Sequence, residues 1–265
     1  MRKRVVSKPP VLLVIIAALA LGLLALPLIG MLQRMPWSTL GEVLAESSVA
    51  DAIRVSAIVS VAATCLCVVL GLPLAWVLAR VEFRGRRVVR ALVLLPMVLP
   101  PVVGGTALLF ALGRRGLIGQ WLDDWFGLSL RFCTGGAVVA ARFVCVPCFG
   151  SAVESAWKQL VDSSEEPASA LGATPLRTFR AVTLPMVRPA IFAGAALSWA
   201  RALGEFGATI TFAGDSPGRT RSLPLEIFIA LETQPERALV LSFLLVTVSL
   251  VVLIGLRGRW IGGIR

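Results

Sequence analysis

The chain has 265 residues, of which 57% are hydrophobic and 15% charged, with a mean hydropathy of +0.86 and a formal net charge of +11. That much apolar sequence, gathered in long unbroken runs, excludes an ordinary soluble globule, in which about a quarter of residues are charged. The chain has no His and no Tyr, so a membrane-embedded enzyme has little acid–base or metal chemistry to use, and its arginines are scattered between apolar runs, which is not the basic stripe of a nucleic-acid binder.

Six apolar segments follow one another: 11–32, 54–79, 91–112, 134–157, 189–213 and 238–256. Each is near the roughly 20 residues needed to cross the hydrocarbon core. The first follows Arg2, Lys3, Arg4 and Lys8. It is longer than the apolar stretch of a signal peptide and no small-residue cleavage site follows, so it is expected to be a retained helix. Pro73, the Pro96/Pro100/Pro101 set and Pro147 lie inside spans. A proline frees a backbone carbonyl that must be satisfied by neighbouring protein or a water-filled cavity. A plain packing kink is the other reading of each.

Five cysteines are present, Cys65, Cys67, Cys133, Cys145 and Cys148. Cys145-Val-Pro-Cys148 imitates half of a redox or zinc site, but it sits in an apolar span without a second pair, so a packing role is expected and no metal ligand is assigned.

Counting Lys and Arg in the connections sets the orientation. With the N-terminus inside, the inner segments hold 16 and the outer ones 7, the latter being Arg34, Arg114, Arg115, Arg131, Arg219, Arg221 and Arg237. Both termini are therefore expected on the cytoplasmic side of the plasma (inner) membrane. The N-terminal ten residues read as a cytoplasmic N-terminus before a single transmembrane domain spanning 11–265.

The longest inner connection, 158–188, reads KQLVDSSEEPASALGATPLRTFRAVTLPMVR. Ser163 or Ser164 can cap a short helix with Glu165 and Glu166 in its first turn, where Pro167 is tolerated. Gly172 can end that helix in the left-handed conformation, and Thr174-Pro175 restarts the chain. Leu184-Pro185 is then expected to close a second short helix before the fifth span. The prediction is a helix–turn–helix on the cytoplasmic side.

This stretch resembles the coupling loop of ATP-binding-cassette import permeases. That loop reads Glu-Ala-Ala, three residues, Gly, nine residues, Ile, one residue, Leu-Pro. Here Glu166-Pro167-Ala168 precedes Gly172 by the same spacing, followed by Val182, Thr183 and Leu184-Pro185. Pro167 and Val182 are the departures. The resemblance implies an all-α polytopic membrane protein with six transmembrane helices and the type I importer permease fold. It also implies that Glu166, Ala168, Gly172, Leu184 and Pro185 dock on a separate ATPase subunit, present in two copies. The three lysines, Lys3, Lys8 and Lys158, lie in no Walker A loop, so no nucleotide cofactor is expected on this chain and ATP and Mg²⁺ belong to the partner.

Residues 201–225, RALGEFGATITFAGDSPGRTRSLPL, and 95–110, LPMVLPPVVGGTALLF, are similar to the sulfate/molybdate/tungstate branch, with Gly207-Ala208-Thr209-Ile210-Thr211-Phe212 nearest its molybdate members. The resemblance implies an extracytoplasmic oxyanion-binding protein, a homodimer around a central path, and transport of a tetrahedral oxyanion, molybdate before sulfate or tungstate. Small and hydroxylic residues suit such a path: Thr106, Gly204, Gly207, Thr209 and Thr211 are the candidates, with Gly104 and Gly105 beside them. The same residues also suit close helix packing. Arg142, Arg201 and Glu205 fall inside or near spans, and Arg201 and Glu205, four apart, are expected to pair with each other before serving as an anion ligand. A passive channel or scaffold is the remaining class, distinguished by solute flux through the purified chain alone.

Overall fold

The computed structural model describes residues 10–161, 179 and 183–261. Eleven helices are found among them: α1 (Val11–Gln33), α2 (Leu40–Ala45), α3 (Ser47–Arg80), α4 (Arg86–Val98), α5 (Pro101–Leu112), α6 (Gly119–Phe126), α7 (Thr134–Val161), α8 (Leu184–Leu203), α9 (Gly207–Phe212), α10 (Leu223–Thr233) and α11 (Pro235–Ile261). Glu166, Ala168 and Gly172 lie outside the described residues.

Among the described residues, four helices are long and apolar enough to cross a membrane unaided: α1, α3, α7 and α11. They correspond to the first, second, fourth and sixth apolar segments. The third segment, which carries the Pro96/Pro100/Pro101 set, and the fifth are broken.

In the third, α4 and α5 are bent by 120°. The cause is local. Leu99 and Pro100 each precede a proline, which pushes a residue out of the helical region. They take φ/ψ of −68°/138° and −54°/135°. Pro101 then restarts the helix at a position where a missing amide costs nothing. The bent pair still advances along α7. Arg90 meets Glu154, a Cβ on Gly150 would meet Val93, and one on Gly104 would meet Phe143. It therefore runs from one end of the bundle to the other as a broken span.

The fifth segment starts earlier than expected, at Leu184, and breaks at Gly204–Phe206. Thr183 is already helical, at φ −69° and ψ −49°. Leu184-Pro185 thus forms the first turn of α8, and the second short helix expected before it falls outside the described residues.

The core is built where α3, α7 and α8 pack together. Phe149 sits between two glycines: a Cβ on Gly71 would lie 2.8 Å from its ring, and one on Gly194 3.3 Å. Cys67 and Cys145, both fully buried, place their sulfurs 3.2 Å apart, so Cys145 faces α3 and not Cys148. At the end of this core Trp157 stacks on Phe179 with ring centroids 5.9 Å apart.

Arginines close that same end. Arg86 donates to the carbonyls of Leu78 (2.9 Å) and Ala79 (3.1 Å), the last turn of α3, where cations offset the helix dipole. Arg90 donates to Leu78 and binds Glu154, which also pairs with Lys158 at 2.8 Å. By contrast α1 has no buried residue. At about 35 Å it is long enough to span, and its whole lateral face is left apolar.

Candidate functional site

The expected pathway residues converge where the two broken segments meet. α5 and α9 lie so close that a Cβ on Gly105 would stand 2.8 Å from the Ala208 carbonyl oxygen and 2.8 Å from Thr211 Cβ. One on Gly207 would stand 2.8 Å from Pro101 Cβ. These two glycines allow the helices to touch. Gly204 differs: it is exposed, and a Cβ there would meet nothing nearer than 3.8 Å.

The threonines divide likewise. Thr209 is 2% exposed and is a packing residue within this chain. Thr106 and Thr211 are partly exposed, and each hydroxyl donates to its own helix, to Val102 (2.9 Å) and Gly207 (2.8 Å) carbonyls. Their hydrogens are committed to the backbone in this conformation, and what they present outward is acceptor lone pairs. An oxyanion needs donors, so a hydroxyl must turn before it can bind one.

Glu205 explains how the fifth segment survives its break. Its carboxylate accepts from the Ala208 amide at 2.8 Å, one of the donors the break leaves without a helical partner. The other oxygen pairs with Arg201 at 2.9 Å, the side chains being 1% and 37% exposed. The expected i,i+4 pair therefore forms, and its task is to repair the helix start of α9 at membrane depth. Among the described residues the buried Arg142 Nε has no hydrogen-bond acceptor, while the Arg142 carbonyl receives the Cys67 and Cys145 thiols.

An ionic chain at the opposite end from Glu154 escaped the sequence. Arg221 holds Asp215 through two bonds of 2.6 and 2.9 Å, and Glu226, 2% exposed, lies between Arg221 (3.5 Å) and Arg237 (2.7 Å). Arg237 continues to Glu46 at 3.0 Å. The chain ties α10 and α11 to the start of α3, beside the bond from Leu223 N to Ser56 Oγ at 2.7 Å. The one sequence signal was the excess of carboxylates near outer arginines. Of the expected coupling residues, the described part of the structure places Leu184 and Pro185 in the first turn of α8.

Residues 68–261 match the profile of the family described as the binding-protein-dependent transport system inner membrane component. The chain belongs to this permease family.

Among its relatives, the molybdenum transport system permease protein ModB of Mycobacterium tuberculosis is 44% identical over 235 residues, 89% of each chain. The sulfate transport system permease protein CysT of Salmonella typhimurium is 37% identical over 205 residues, 77% of this permease and 74% of that one. In fold, the permease resembles a chain in the crystal structure of a bacterial alginate ABC transporter in complex with an alginate pentasaccharide-bound periplasmic protein. The TM-score is 0.71 at 18% identity, with 92% of each chain covered. The permease thus has the importer fold and is a multi-pass inner-membrane protein.

Proposed function

We propose that this permease is the membrane half of an ATP-driven importer for molybdate, acting as a homodimer with two copies of a separate ATPase and an extracytoplasmic binding protein. The observation that carries the anion is the 44% identity across 89% of the chain to a molybdenum permease. Sulfate is the second reading, supported by 37% identity to a sulfate permease. ATP and Mg²⁺ act on the partner. Glu166, Ala168, Gly172, Leu184 and Pro185 form the docking element, and the stroke enters α8 at Leu184. Within the candidate path, Thr106, Gly204 and Thr211 face accessible space, while Gly207 and Thr209 hold α9 in place.

The test is molybdate uptake into vesicles holding the permease, its ATPase and the loaded binding protein, with sulfate as competitor. Uptake dependent on ATP and resistant to equimolar sulfate is expected; sulfate uptake with molybdate excluded would reverse the assignment. In the same assay Gly172→Val is expected to uncouple ATP hydrolysis from uptake or to prevent assembly. A left-handed turn at that position costs a β-branched residue about 1–2 kcal/mol and re-aims the docking element. Wild-type transport by this variant would remove the coupling role from the turn.

Orientation is read out separately. In a Cys-free background, single cysteines at positions 84 and 170 are expected to resist an impermeant thiol reagent added outside and to react after permeabilisation. Reaction from outside at either site would invert the topology.

A further inference from the structure

At the outer end of α5 the chain turns back on itself. Gly113 ends the helix, Gly116 N donates to Gly113 O at 2.7 Å, and Leu117 N donates to Phe110 O at 3.0 Å. A Cβ on Gly116 would fall 2.6 Å from the Phe110 carbonyl, so the turn requires glycine there. It carries Arg114 and Arg115. A third guanidinium arrives from the segment before α7: Arg131 lies 4.6 Å above the Phe132 ring, and Phe132 is held at φ 58° by donating its amide to Ala213 O. Phe110, Arg114, Arg115 and Arg131 line one cavity of about 410 Å³.

The charge in this cavity is not neutralised. Arg114 pairs with Asp123 at 2.7 Å, but among the described residues neither Arg115 nor Arg131 has a carboxylate within 4.0 Å. At the same end Arg221 and Arg237 are held by carboxylates. Outer connections are where membrane proteins keep few cations, so two unpaired guanidiniums gathered around a cavity call for an anion. The cavity also continues a face of the path. Val103, Thr106, Ala107 and Phe110 recur at helical spacing on α5, placing Thr106 below Phe110 on one stripe.

We propose that the cleft of Arg114, Arg115 and Arg131 is an oxyanion antechamber that receives the tetrahedral dianion at the outer mouth of the permease before it descends past Thr106. This rests on the importer reading above. Guanidinium forks match the oxygen spacing of a tetrahedral anion. The Asp123 carboxylate on Arg114 tempers the field, which favours release, since a conducting site must not hold its ion too tightly. A phosphate-bearing lipid headgroup has the same chemistry and is the alternative source of the anion.

The test uses the full complex with binding protein and ATP in vesicles, comparing wild type with the double variant Arg115→Gln/Arg131→Gln, which leaves the Arg114–Asp123 pair intact. Molybdate uptake is expected to fall by about tenfold, the low end of electrostatic focusing, and to recover only in part in Arg115→Lys/Arg131→Lys, which restores the charge but not the fork. The concentration of loaded binding protein that half-stimulates ATP hydrolysis is expected to stay unchanged. In the wild-type complex without binding protein, molybdate is expected to slow phenylglyoxal modification of Arg115 and Arg131, a readout that does not depend on the variants folding. Wild-type uptake by the double variant, or no protection by molybdate, overturns the antechamber. A rise in the half-stimulating concentration would make the cleft a dock for an acidic face of the binding protein. A defect confined to vesicles containing phosphatidylglycerol, absent in phosphatidylcholine, would assign it to a lipid headgroup. Failure of the importer reading appears elsewhere, as absence of molybdate uptake by the wild-type complex.

Discussion

Arg201→Ala is expected to be the most damaging single change in the transmembrane core, lowering stability by about 3–5 kcal/mol because it strips a buried carboxylate of its partner. Glu205 is 1% exposed on its side chain and has no room to leave the core, whereas Arg201 is 37% exposed and can reorient. The two halves of the pair are therefore unequal. Glu205→Gln should cost less, since the amide oxygen still accepts from Ala208 N and the partly exposed guanidinium is free to reorient away from the core. Arg201→Leu with Glu205→Gln should recover much of the loss. Thermal unfolding of the solubilised complex checks the order Arg201→Ala, then Glu205→Gln, then wild type. If Glu205→Gln proves the worse variant, the carboxylate has a role beyond closing the helix break, and an ion-handling one becomes the better reading.

The second large effect concerns the contact between α5 and α9. Gly105→Ala must push apart two backbones, because the added carbon would sit 2.8 Å from the Ala208 carbonyl oxygen and 3.0 Å from its Cα. Overpacking of this kind costs about 1–3 kcal/mol, and backbone atoms cannot step aside as a side-chain tip can. Gly204→Ala, with only a contact at 3.8 Å and φ of −88°, is expected to leave stability within about 0.5 kcal/mol of wild type. Paired measurement of stability and uptake separates the two uses of glycine. A stable Gly204→Ala complex with lost transport would place the path against that exposed backbone; an unaffected Gly105→Ala complex would show that the two helices are free to separate.

What was legible in the sequence followed from length and composition. Apolar runs of 19 to 26 residues in the reading announced spans, and four of them are single helices. The third segment announced its own interruption through Pro96, Pro100 and Pro101, yet hydropathy alone runs straight through the bend. The break in the fifth was hidden, because it depends on where the Glu205 carboxylate lands relative to the Ala208 amide. Arg86 and Arg90 were visible as charges between two apolar segments but not as caps on α3, eight to twelve residues earlier in the chain. The Glu46–Arg237–Glu226–Arg221–Asp215 chain brings together residues nearly two hundred positions apart, which no local pattern encodes. Among the candidate path residues, residue type marked the right neighbourhood, while burial and hydroxyl direction decided which of them face open space.

The two interruptions lie side by side, since the first residue of α5, Pro101, touches the first residue of α9, Gly207. With no clearance between them, neither α5 nor α9 can move toward the other without carrying it along. The helical ladder is interrupted at Leu99–Pro100 and at Gly204–Phe206, and beyond those two points α5 and α9 are packed against each other. In the proposed coupling, a displacement entering at Leu184 would pass along α8, cross the break bridged by the Glu205 carboxylate, and reach the joined α5 and α9 as a tilt. Gly113, at the end of α5 farthest from that break, is then where a small angle at the joint would give the largest excursion.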